Sequence, residues 1–125
     1  MGVVTETTCV AIVDDDVSAR TAIHGVLKSV GFNVTSFASA EEFLASHELR
    51  RCACLITDLK MPGMNGLELQ QRLAENRTRI PIIFVSAYGD DNARARAMKA
   101  GAVGFLDKPF NDDGLIQIIT TVMAR

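Results

Sequence analysis

The sequence is poor in cysteine, has no excess of basic residues and contains no long apolar run, and each shortage excludes a class of protein. Its three cysteines, an odd number set in short apolar stretches, fit small core residues in a reducing compartment rather than a disulfide scaffold. Thirteen basic residues against fifteen acidic ones give a net charge of -2, which argues against nucleic-acid binding by this chain. No stretch reaches the roughly 18 apolar residues of a membrane span, and the N-terminus does not resemble a signal peptide. We therefore expect a cytoplasmic protein that does not bind a membrane.

The residues that are present make the composition of an ordinary folded domain. Hydrophobic residues occupy 48% of the 125 positions and charged residues 22%, and no low-complexity tract interrupts them. A chain of this length buries about two thirds of its unfolded surface in a single core. Residues 1–125 are therefore predicted to form one domain.

Five short apolar runs alternate with amphipathic stretches along the chain. The runs predict strands at Cys9 to Val13, Asn33 to Phe37, Cys52 to Thr57, Ile80 to Ser86 and Val103 to Leu106. Alternating strands and helices are typical of a parallel sheet with right-handed crossovers. The pattern predicts an α/β fold, a doubly wound three-layer sandwich with helices on both faces of the sheet.

The stretches between the strands show helical spacing and capping residues. Apolar residues share one face in the first and last of them: Ala19, Ala22, Ile23, Val26, Leu27 and Val30, then Leu115, Ile118, Ile119, Val122 and Met123. Ser39 with Glu42 predicts a capping box for the second helix, and Asn65 with Glu68 a looser version for the third. The fourth is alanine-rich, with Met98 as its only large apolar residue, so we expect it to pack weakly and to move easily.

Polar residues follow four of the five predicted strands. They are Asp14-Asp15-Asp16, Asp58, Ser86-Ala87 and Asp107-Lys108-Pro109. Ligands of a doubly wound sheet bind beyond the carboxyl ends of its strands, so we expect these residues to meet at one rim. Two carboxylates about 4 Å apart repel by about 4 kcal/mol at an effective dielectric constant of 20. Stability alone therefore does not explain why the acids are gathered.

A hard divalent cation would offset this repulsion. Mg²⁺ is the preferred ion, because it takes carboxylate and carbonyl oxygens while keeping waters that a phosphate can displace. Lys108 adds a compact positive charge, and the Ser86 hydroxyl adds a donor, and both suit phosphate oxygens. The set predicts a phosphoryl site with Asp58 as the nucleophile.

Four segments of the chain carry a resemblance to a known family. AIVDDD, LITDLKMPGMNGLEL, PIIFVSA and KAGAVGFLDKPF resemble, in order and spacing, the receiver domain of two-component response regulators. The match covers essentially the whole chain and is highly specific as a combined pattern. It implies a flavodoxin-like fold with strand order 2-1-3-4-5. It also implies a signalling domain that takes a phosphoryl group from a sensor histidine kinase, catalyses its own phosphorylation and dephosphorylation, and controls an output such as transcription.

The resemblance assigns a role to each acid of the rim. It implies that Asp58 is the phosphoacceptor and that Asp14 and Asp15 hold the metal together with Asp58 and the backbone carbonyl of Lys60. The ion implied is Mg²⁺, with Mn²⁺ as the alternative. Lys108 is implied to contact the phosphoryl group.

Further residues are implied to transmit the signal. Ser86 is implied to contact the phosphoryl group and to form the switch with Phe105. Lys60 and Tyr88 occupy positions that in this family govern water access to the acyl phosphate. The Lys108-Pro109 bond is implied to be cis.

The resemblance also indicates partners. Phosphorylation is expected to remodel the face of the fourth helix and fifth strand, which suits a phosphorylation-dependent homodimer or an output contact. The basic side chains on that helix, Arg94, Arg96 and Lys99, are expected to be a solvated face, with contact to a partner as the alternative. The segment KAGAVGFLDKPF is similar to receivers of the nitrogen-fixation, LuxR-type transcription regulators. Any contact with nucleic acid would then be made by an output domain outside this chain.

Two other functional classes share parts of this pattern. A Mg²⁺-dependent phosphatase or phosphotransferase acting through an aspartyl phosphate, as in the haloacid dehalogenase group, needs a second aspartate two residues after the nucleophile, where this chain has Lys60. It also needs a cap or substrate pocket, for which the length leaves little room. A flavin-binding domain of the same topology needs a phosphate loop after the first strand, where Asp14-Asp15-Asp16 would repel a phosphate.

Several residues have a structural explanation that we prefer. Asp16 is expected to cap the first helix rather than to bind metal. Cys52 and Cys54 have the wrong spacing for a zinc pair. His24 and His47 lie at polar positions of helical stretches and are not expected to bind metal or phosphate.

Overall fold

A computed structural model describes residues 9–47, 51–87 and 91–124. Five strands alternate with five helices, as the apolar periodicity predicts. In chain order the elements are β1 (Cys9–Val13), α1 (Val17–Ser29), β2 (Asn33–Phe37), α2 (Ala40–Ala45), β3 (Cys52–Asp58), α3 (Gly66–Glu75), β4 (Ile82–Ser86), α4 (Asp91–Lys99), β5 (Gly104–Asp107) and α5 (Asp112–Met123). Among the described residues, none of these helices has the length and apolar character needed to cross a bilayer.

The five strands form one parallel sheet in the order β2-β1-β3-β4-β5, which confirms the predicted flavodoxin-like topology. The strand order reverses between β1 and β3, which are direct neighbours in the sheet. In their register Val13 pairs with Thr57, so the residues that follow each strand emerge side by side. In open α/β sheets ligands bind at such a reversal point, beyond the carboxyl ends of the strands.

Two apolar cores cover the two faces of the sheet. The core beneath α2, α3 and α4 includes Phe43, Leu69, Leu73, Phe84 and Ala97. The core beneath α1 and α5 includes Ile23, Leu27, Leu115, Ile119 and Val122. Alternate residues of each strand enter opposite cores, because successive side chains of a strand point to opposite faces. The predicted three-layer sandwich is confirmed.

The helix ends follow the predicted capping chemistry, except that the complete capping box is found at α3 rather than at α2. Asp16 caps α1 by accepting a hydrogen bond from the Ser18 backbone N–H, as predicted. The complete reciprocal capping box belongs to α3, where Asn65 and Glu68 each accept from the backbone N–H of the other. At α2, Ser39 accepts from the Glu42 N–H, but the Glu42 carboxylate accepts from Ala38 instead. The sequence predicts the opposite, a complete box at Ser39 and Glu42 and a looser one at Asn65 and Glu68.

Three strands have boundaries that differ from the predicted ones. β3 extends by one residue to include Asp58, and β5 runs from Gly104 to Asp107 rather than from Val103 to Leu106. β4 begins at Ile82 rather than Ile80. Proline has no backbone N–H to add to a ladder, so Pro81 favours a later start for β4. The extension of β3 fixes Asp58 on the sheet itself.

The packing of α4 depends on a small residue. Met98, the one large apolar residue that the sequence offers, is 44% exposed, whereas Ala97 is fully buried. Helical residues one position apart point about 100° apart, so only one of the two can face the sheet. In α1 the apolar face is shorter than predicted, because Val30 lies beyond the end of the helix and is exposed.

Candidate functional site

Three aspartates meet at the carboxyl ends of β1 and β3. Asp14 follows β1 directly and is 1% exposed, and Asp58 ends β3 and is 9% exposed. One carboxylate oxygen from each of Asp14, Asp15 and Asp58 lies within 4.8 Å of the others. We call these three residues the acid cluster. Among the described residues it is the single group of this kind, and its members are the three acids that the sequence predicts.

The end of β1 is held by several hydrogen bonds to Asp14. Its backbone N–H donates to the Phe37 carbonyl at 3.1 Å, which continues the pairing with β2. Its Oδ1 accepts from the Asp16 N–H at 2.9 Å. The Arg20 guanidinium on α1 donates to the Asp14 carbonyl. The buried carboxylate is therefore fixed in direction by its own loop and by α1.

Lys108 joins the two buried acids. Its Nζ donates to Asp14 Oδ2 and to Asp58 Oδ2, at 3.1 Å in each case. Its backbone N–H donates to the Ser86 carbonyl, which ties the end of β5 to the end of β4. The Lys108-Pro109 bond is cis, as the family resemblance implies.

The charges of this group are coupled. Burial lowers the pKa of Lys108, but the hydrogen bonds and charges of Asp14 and Asp58 outweigh it and raise the pKa above the usual range. Lys108 is therefore a permanent cation near neutral pH. Burial raises the pKa of Asp14, and the bonds from Asp16 and Lys108 offset only part of that effect. The neighbouring Asp58 charge also raises the pKa of Asp14, as expected for two acids in one site.

The loop after Asp58 is bonded to the Asp58 carboxylate and to α2. The Lys60 N–H donates to Asp58 Oδ1 at 3.3 Å. Gly66 opens α3, and a Cβ placed on it would lie 2.3 Å from the Asp58 carbonyl oxygen. Glu41 on α2 accepts from the Met64 N–H at 3.0 Å, which lowers the pKa of this exposed carboxyl. The Met-Pro-Gly segment, residues 61–63, is therefore flanked by two hydrogen bonds, one from Lys60 and one from Met64.

Ser86 and Phe105 lie on the α4 side of the sheet. Ser86 ends β4 and is buried, and it pairs with Asp107 of β5. Phe84 and Phe105 are also paired, and their ring centroids are 6.2 Å apart. The two predicted switch residues thus belong to adjacent strands, and Phe105 packs against the core beneath α2, α3 and α4. Ser86 is two residues after Phe84 of that core, so it faces the same side of the sheet.

Cys54 and His24, two residues that the sequence analysis considered as possible ligands, have structural roles instead. Burial raises the pKa of Cys54 to about 12, so this thiol stays protonated and behaves as a core residue. His24 Nδ1 lies 2.8 Å from Ser36 Oγ, a bond between α1 and β2 that its polar helical position did not predict. Tyr88 lies outside the described residues.

Sequence reasoning missed three residues that support the site: Arg20, Glu41 and Arg94. Arg20 and Glu41 act through backbone atoms of other segments, as described above. Arg94 was expected to be a solvated side chain, but its Cζ lies 4.7 Å from the centre of the Phe105 ring. No local pattern marks such contacts, because each joins residues of different elements and depends on how those elements pack.

Comparisons with known proteins place this geometry in a family. The family model described as the response regulator receiver domain matches residues 10–120. Nodulation protein W of Bradyrhizobium diazoefficiens is 41% identical over 116 residues, which cover 93% of this chain and 51% of that protein. Transcriptional regulatory protein FixJ of Rhizobium meliloti is 43% identical over 110 residues, 88% of this chain and 54% of that protein.

Solved structures agree with the sequence comparisons. The crystal structure titled FixJ-N superposes with a TM-score of 0.84 at 40% identity and covers 94% of each chain. A full-length FixJ structure gives a TM-score of 0.87 at 36% identity, with 94% of this chain and 58% of that one covered. The chain spans about half the length of the curated relatives it matches. It belongs to the receiver domain family of two-component response regulators, a regulatory rather than catalytic group.

Proposed function

We propose that the chain is one phosphoacceptor domain, that Asp58 receives the phosphoryl group, and that the acid cluster holds Mg²⁺. The observation that carries the proposal is the pair of bonds from Lys108 Nζ to Asp14 and Asp58, next to a third carboxylate. A cation and three hard oxygen donors, one of which is the proposed nucleophile at the strand end, then occupy one rim.

The acid cluster fits a hard divalent ion. Its carboxylate oxygens lie within 4.8 Å of one another, so a single ion can reach all three. Lys108 neutralises one of the three negative charges, which leaves an excess of acid. The backbone carbonyl of Lys60 is proposed as a further ligand, with Mn²⁺ as the alternative ion. When bound, the ion supplies charge compensation for the acids and for incoming phosphoryl oxygens.

The proposed reaction moves one phosphoryl group. An oxygen of the Asp58 carboxylate attacks phosphorus, and the bond from phosphorus to the donor breaks with its electron pair leaving on the donor. Lys108 Nζ already lies beside the nucleophile and can bond a phosphoryl oxygen. Ser86, at the end of the adjacent strand, is proposed to contact another of these oxygens. Hydrolysis of the acyl phosphate by water would reset the domain.

The phosphatase alternative is not favoured. Such an enzyme needs a general acid two residues after the nucleophile, and Lys60 at that position is exposed and cationic. The comparisons with receiver proteins extend over most of the chain. A regulatory acceptor therefore accounts for the same residues without a missing group.

A chemical test addresses the acceptor. Acetyl phosphate with Mg²⁺ is expected to add one phosphate that hydroxylamine removes, and intact-mass and peptide analysis should place it on Asp58. Asp58→Asn should take none, whereas Asp113→Asn, which changes an exposed acid on α5, should react like wild type. Modification of another residue in the wild-type protein contradicts the assignment.

A separate test addresses the metal. An ion that binds only the folded state stabilises it by mass action and so raises the melting temperature. The gain in the free energy of unfolding is about 2.7 kcal/mol when the ion concentration is 100 times Kd. Mg²⁺ is expected to stabilise the wild type and Asp113→Asn, and to have little effect on Asp15→Asn. A wild-type melting curve that Mg²⁺ leaves unmoved rules out the metal site.

The signal is proposed to leave through α4 and β5. Ser86 and Phe105 lie on the same face of the sheet, and α4 covers that face with one small buried residue, Ala97. A phosphoryl group that draws the Ser86 hydroxyl towards itself would let Phe105 move inward and change the α4 surface. Ser86→Ala should accept phosphate yet show a reduced change in α4 amide exchange with beryllofluoride.

The kinase is proposed to dock beside α1. A cavity of about 610 Å³ lies between α1 and the β5–α5 loop, lined by Ala19, Ala22, Lys108 and Phe110 among others. Val17 on α1 is 63% exposed, the most exposed of the large apolar side chains among the described residues. An apolar surface next to the nucleophile suits a helix that carries a phosphohistidine.

The chain spans half of its relatives, so DNA binding is proposed for an output domain, as the names of the regulators suggest.

A substitution separates docking from chemistry. With a sensor kinase that phosphorylates the wild type, Val17→Asp is expected to slow transfer at least about tenfold, as loss of a central interface contact does. Its reaction with acetyl phosphate should be unchanged, because Val17 makes no bond to the acid cluster. Equal transfer rates would place the kinase surface elsewhere.

A further inference from the structure

Arg94 on α4 contacts two side chains of β5. Its Cζ lies 4.7 Å from the centre of the Phe105 ring, and its Nη1 lies 3.4 Å from Asp107 Oδ2. Phe105 and Asp107 are two residues apart on the strand, so both leave the face that α4 covers. One guanidinium therefore bridges the proposed switch ring and a carboxylate.

The two contacts depend differently on the position of the ring. The ion pair is about half exposed on both sides, at 43% and 49%, so solvent screens it strongly. A cation interacts with a ring only while it lies over the ring face within about 6 Å of the centre. Movement of the Phe105 ring inward, towards Ser86, would end that contact. The ion pair between Arg94 and Asp107 does not depend on the position of the ring.

We propose that Arg94 is a positioning residue that holds the partly exposed Phe105 ring in the position that it has in this structure, which is taken as the outer one, and so sets how many molecules adopt the activated arrangement before phosphorylation. The inference rests on the proposed function, in which Phe105 moves inward. Because the cation–ring contact exists in only one of the two states, it favours the outer state by about two- to fivefold.

The position of Arg94 also links it to the phosphoryl site. Asp107 directly precedes Lys108, whose Nζ contacts Asp14 and Asp58. The helix offers a matched control, since Arg96 is an exposed arginine two residues further on that lines the groove between α3 and α4.

Charge and position predict opposite effects. Removing an arginine near the rim weakens the attraction for an anion, so a purely electrostatic role raises the concentration of beryllofluoride needed for half-saturation. Releasing the ring increases the binding-competent fraction, which lowers that concentration by up to the factor by which the contact favours the outer state. The sign of the change therefore identifies the role.

The experiment titrates the Mg²⁺-loaded protein with beryllofluoride and follows the bound ligand by fluorine NMR. Arg94→Gln is expected to lower the midpoint two- to fivefold, Arg94→Lys to lower it less, and Arg96→Gln to leave it unchanged. With carbon-labelled phenylalanine, the Phe105 ring resonance of unliganded Arg94→Gln should move towards its position in the saturated wild type. A midpoint that rises or stays at the wild-type value in Arg94→Gln overturns the proposal.

A double-substitution cycle tests whether the effect passes through the ring. In a Phe105→Leu protein, Arg94→Gln should no longer change the midpoint, and an undiminished effect there excludes the cation–ring contact. The wild-type titration distinguishes the two levels of the argument. If the wild type binds no beryllofluoride, or its Phe105 resonance does not move, the proposed function fails and the inference fails with it. If the wild type responds and Arg94→Gln matches it, only the role of Arg94 is wrong.

Discussion

Asp14 carries the clearest cost of building this site into the fold. Its carboxyl is almost fully buried beside Asp58, and burial raises its pKa above the ordinary value of 3.8. A raised pKa means that the folded protein binds this proton more tightly than the unfolded chain does. Stability is therefore lost as the pH rises from the unfolded pKa through the raised folded pKa. At a pH above that raised pKa and without metal, the charged Asp14 destabilises the fold.

Asp14→Asn should relieve that cost in the metal-free protein. We expect stabilisation of roughly 0.5–2 kcal/mol at pH 7, the range of single substitutions that relax a functional site. The gain should vanish below about pH 3, where both states carry a neutral carboxyl. Asp15→Asn is the control, because Asp15 is exposed and should change stability less. Denaturant unfolding at several pH values measures this, and a gain that persists in acid contradicts it.

Two glycines should respond to alanine in opposite directions. A Cβ on Gly66 would lie 2.3 Å from the Asp58 carbonyl oxygen and 2.9 Å from the Phe84 ring, so β3 or α3 must shift. We expect Gly66→Ala to destabilise by about 1–3 kcal/mol, as overpacking does, and to slow phosphorylation by displacing Asp58. Apart from the adjoining backbone of its own helix, no atom lies within 4 Å of the Cβ position of Gly25 in α1, so Gly25→Ala should stabilise by about 0.5–1 kcal/mol. Thermal unfolding compares the pair, and equal shifts would be inconsistent with this packing.

The residues at the strand ends could be predicted because the fold itself brings them together. Once the sequence indicates a parallel sheet, Asp14, Asp58 and Lys108 must share one edge. Arg20 could not be predicted in the same way, since its bond to the Asp14 carbonyl depends on how α1 sits on β1. Arg94 reaches Phe105 only because α4 crosses β5 at that point.

At the scale of elements, apolar periodicity predicts the helices and strands, but it does not predict which side chains of each helix are buried. Apolar spacing in α5 is regular, and its three buried residues are large. In α4 the pattern offers Met98, while the structure buries Ala97 instead. The choice between them depends on the direction in which the helix meets the sheet, which short alanine-rich sequences leave open. The weak packing predicted for α4 nevertheless agrees with its single buried side chain.

The tie between α3 and α4 should control the local stability of α4. Gln70 is buried and its Nε2 donates to the Ala97 carbonyl at 3.0 Å. Gln70→Met keeps the length of the side chain but removes the bond, which should cost about 1 kcal/mol. Amide exchange should then accelerate in α4 more than in α5. Gln71→Met is the matched control, because Gln71 is exposed on the same helix; equal acceleration in both variants would exclude the bond as the cause.

At the scale of the whole molecule, the proposed output is a change in how the domain associates. The phosphoryl site is at one edge of the sheet, and the proposed route through Ser86 and Phe105 ends under α4. Met98 lies on the outer side of that helix and is 44% exposed. An exposed apolar side chain on a face that changes with phosphorylation suits a two-fold contact between copies of the domain.

Sedimentation with beryllofluoride and Mg²⁺ should show a dimer that depends on Met98. Met98→Asp is expected to weaken the dimer at least about tenfold, because symmetry places the substituted residue in the interface twice. Val30→Asp is the matched control, since Val30 is 43% exposed but lies at the end of α1. Both variants should remain folded and should accept phosphate, because neither side chain is buried. If Met98→Asp associates as strongly as Val30→Asp, α4 does not form the interface, and the altered surface must act on a different partner.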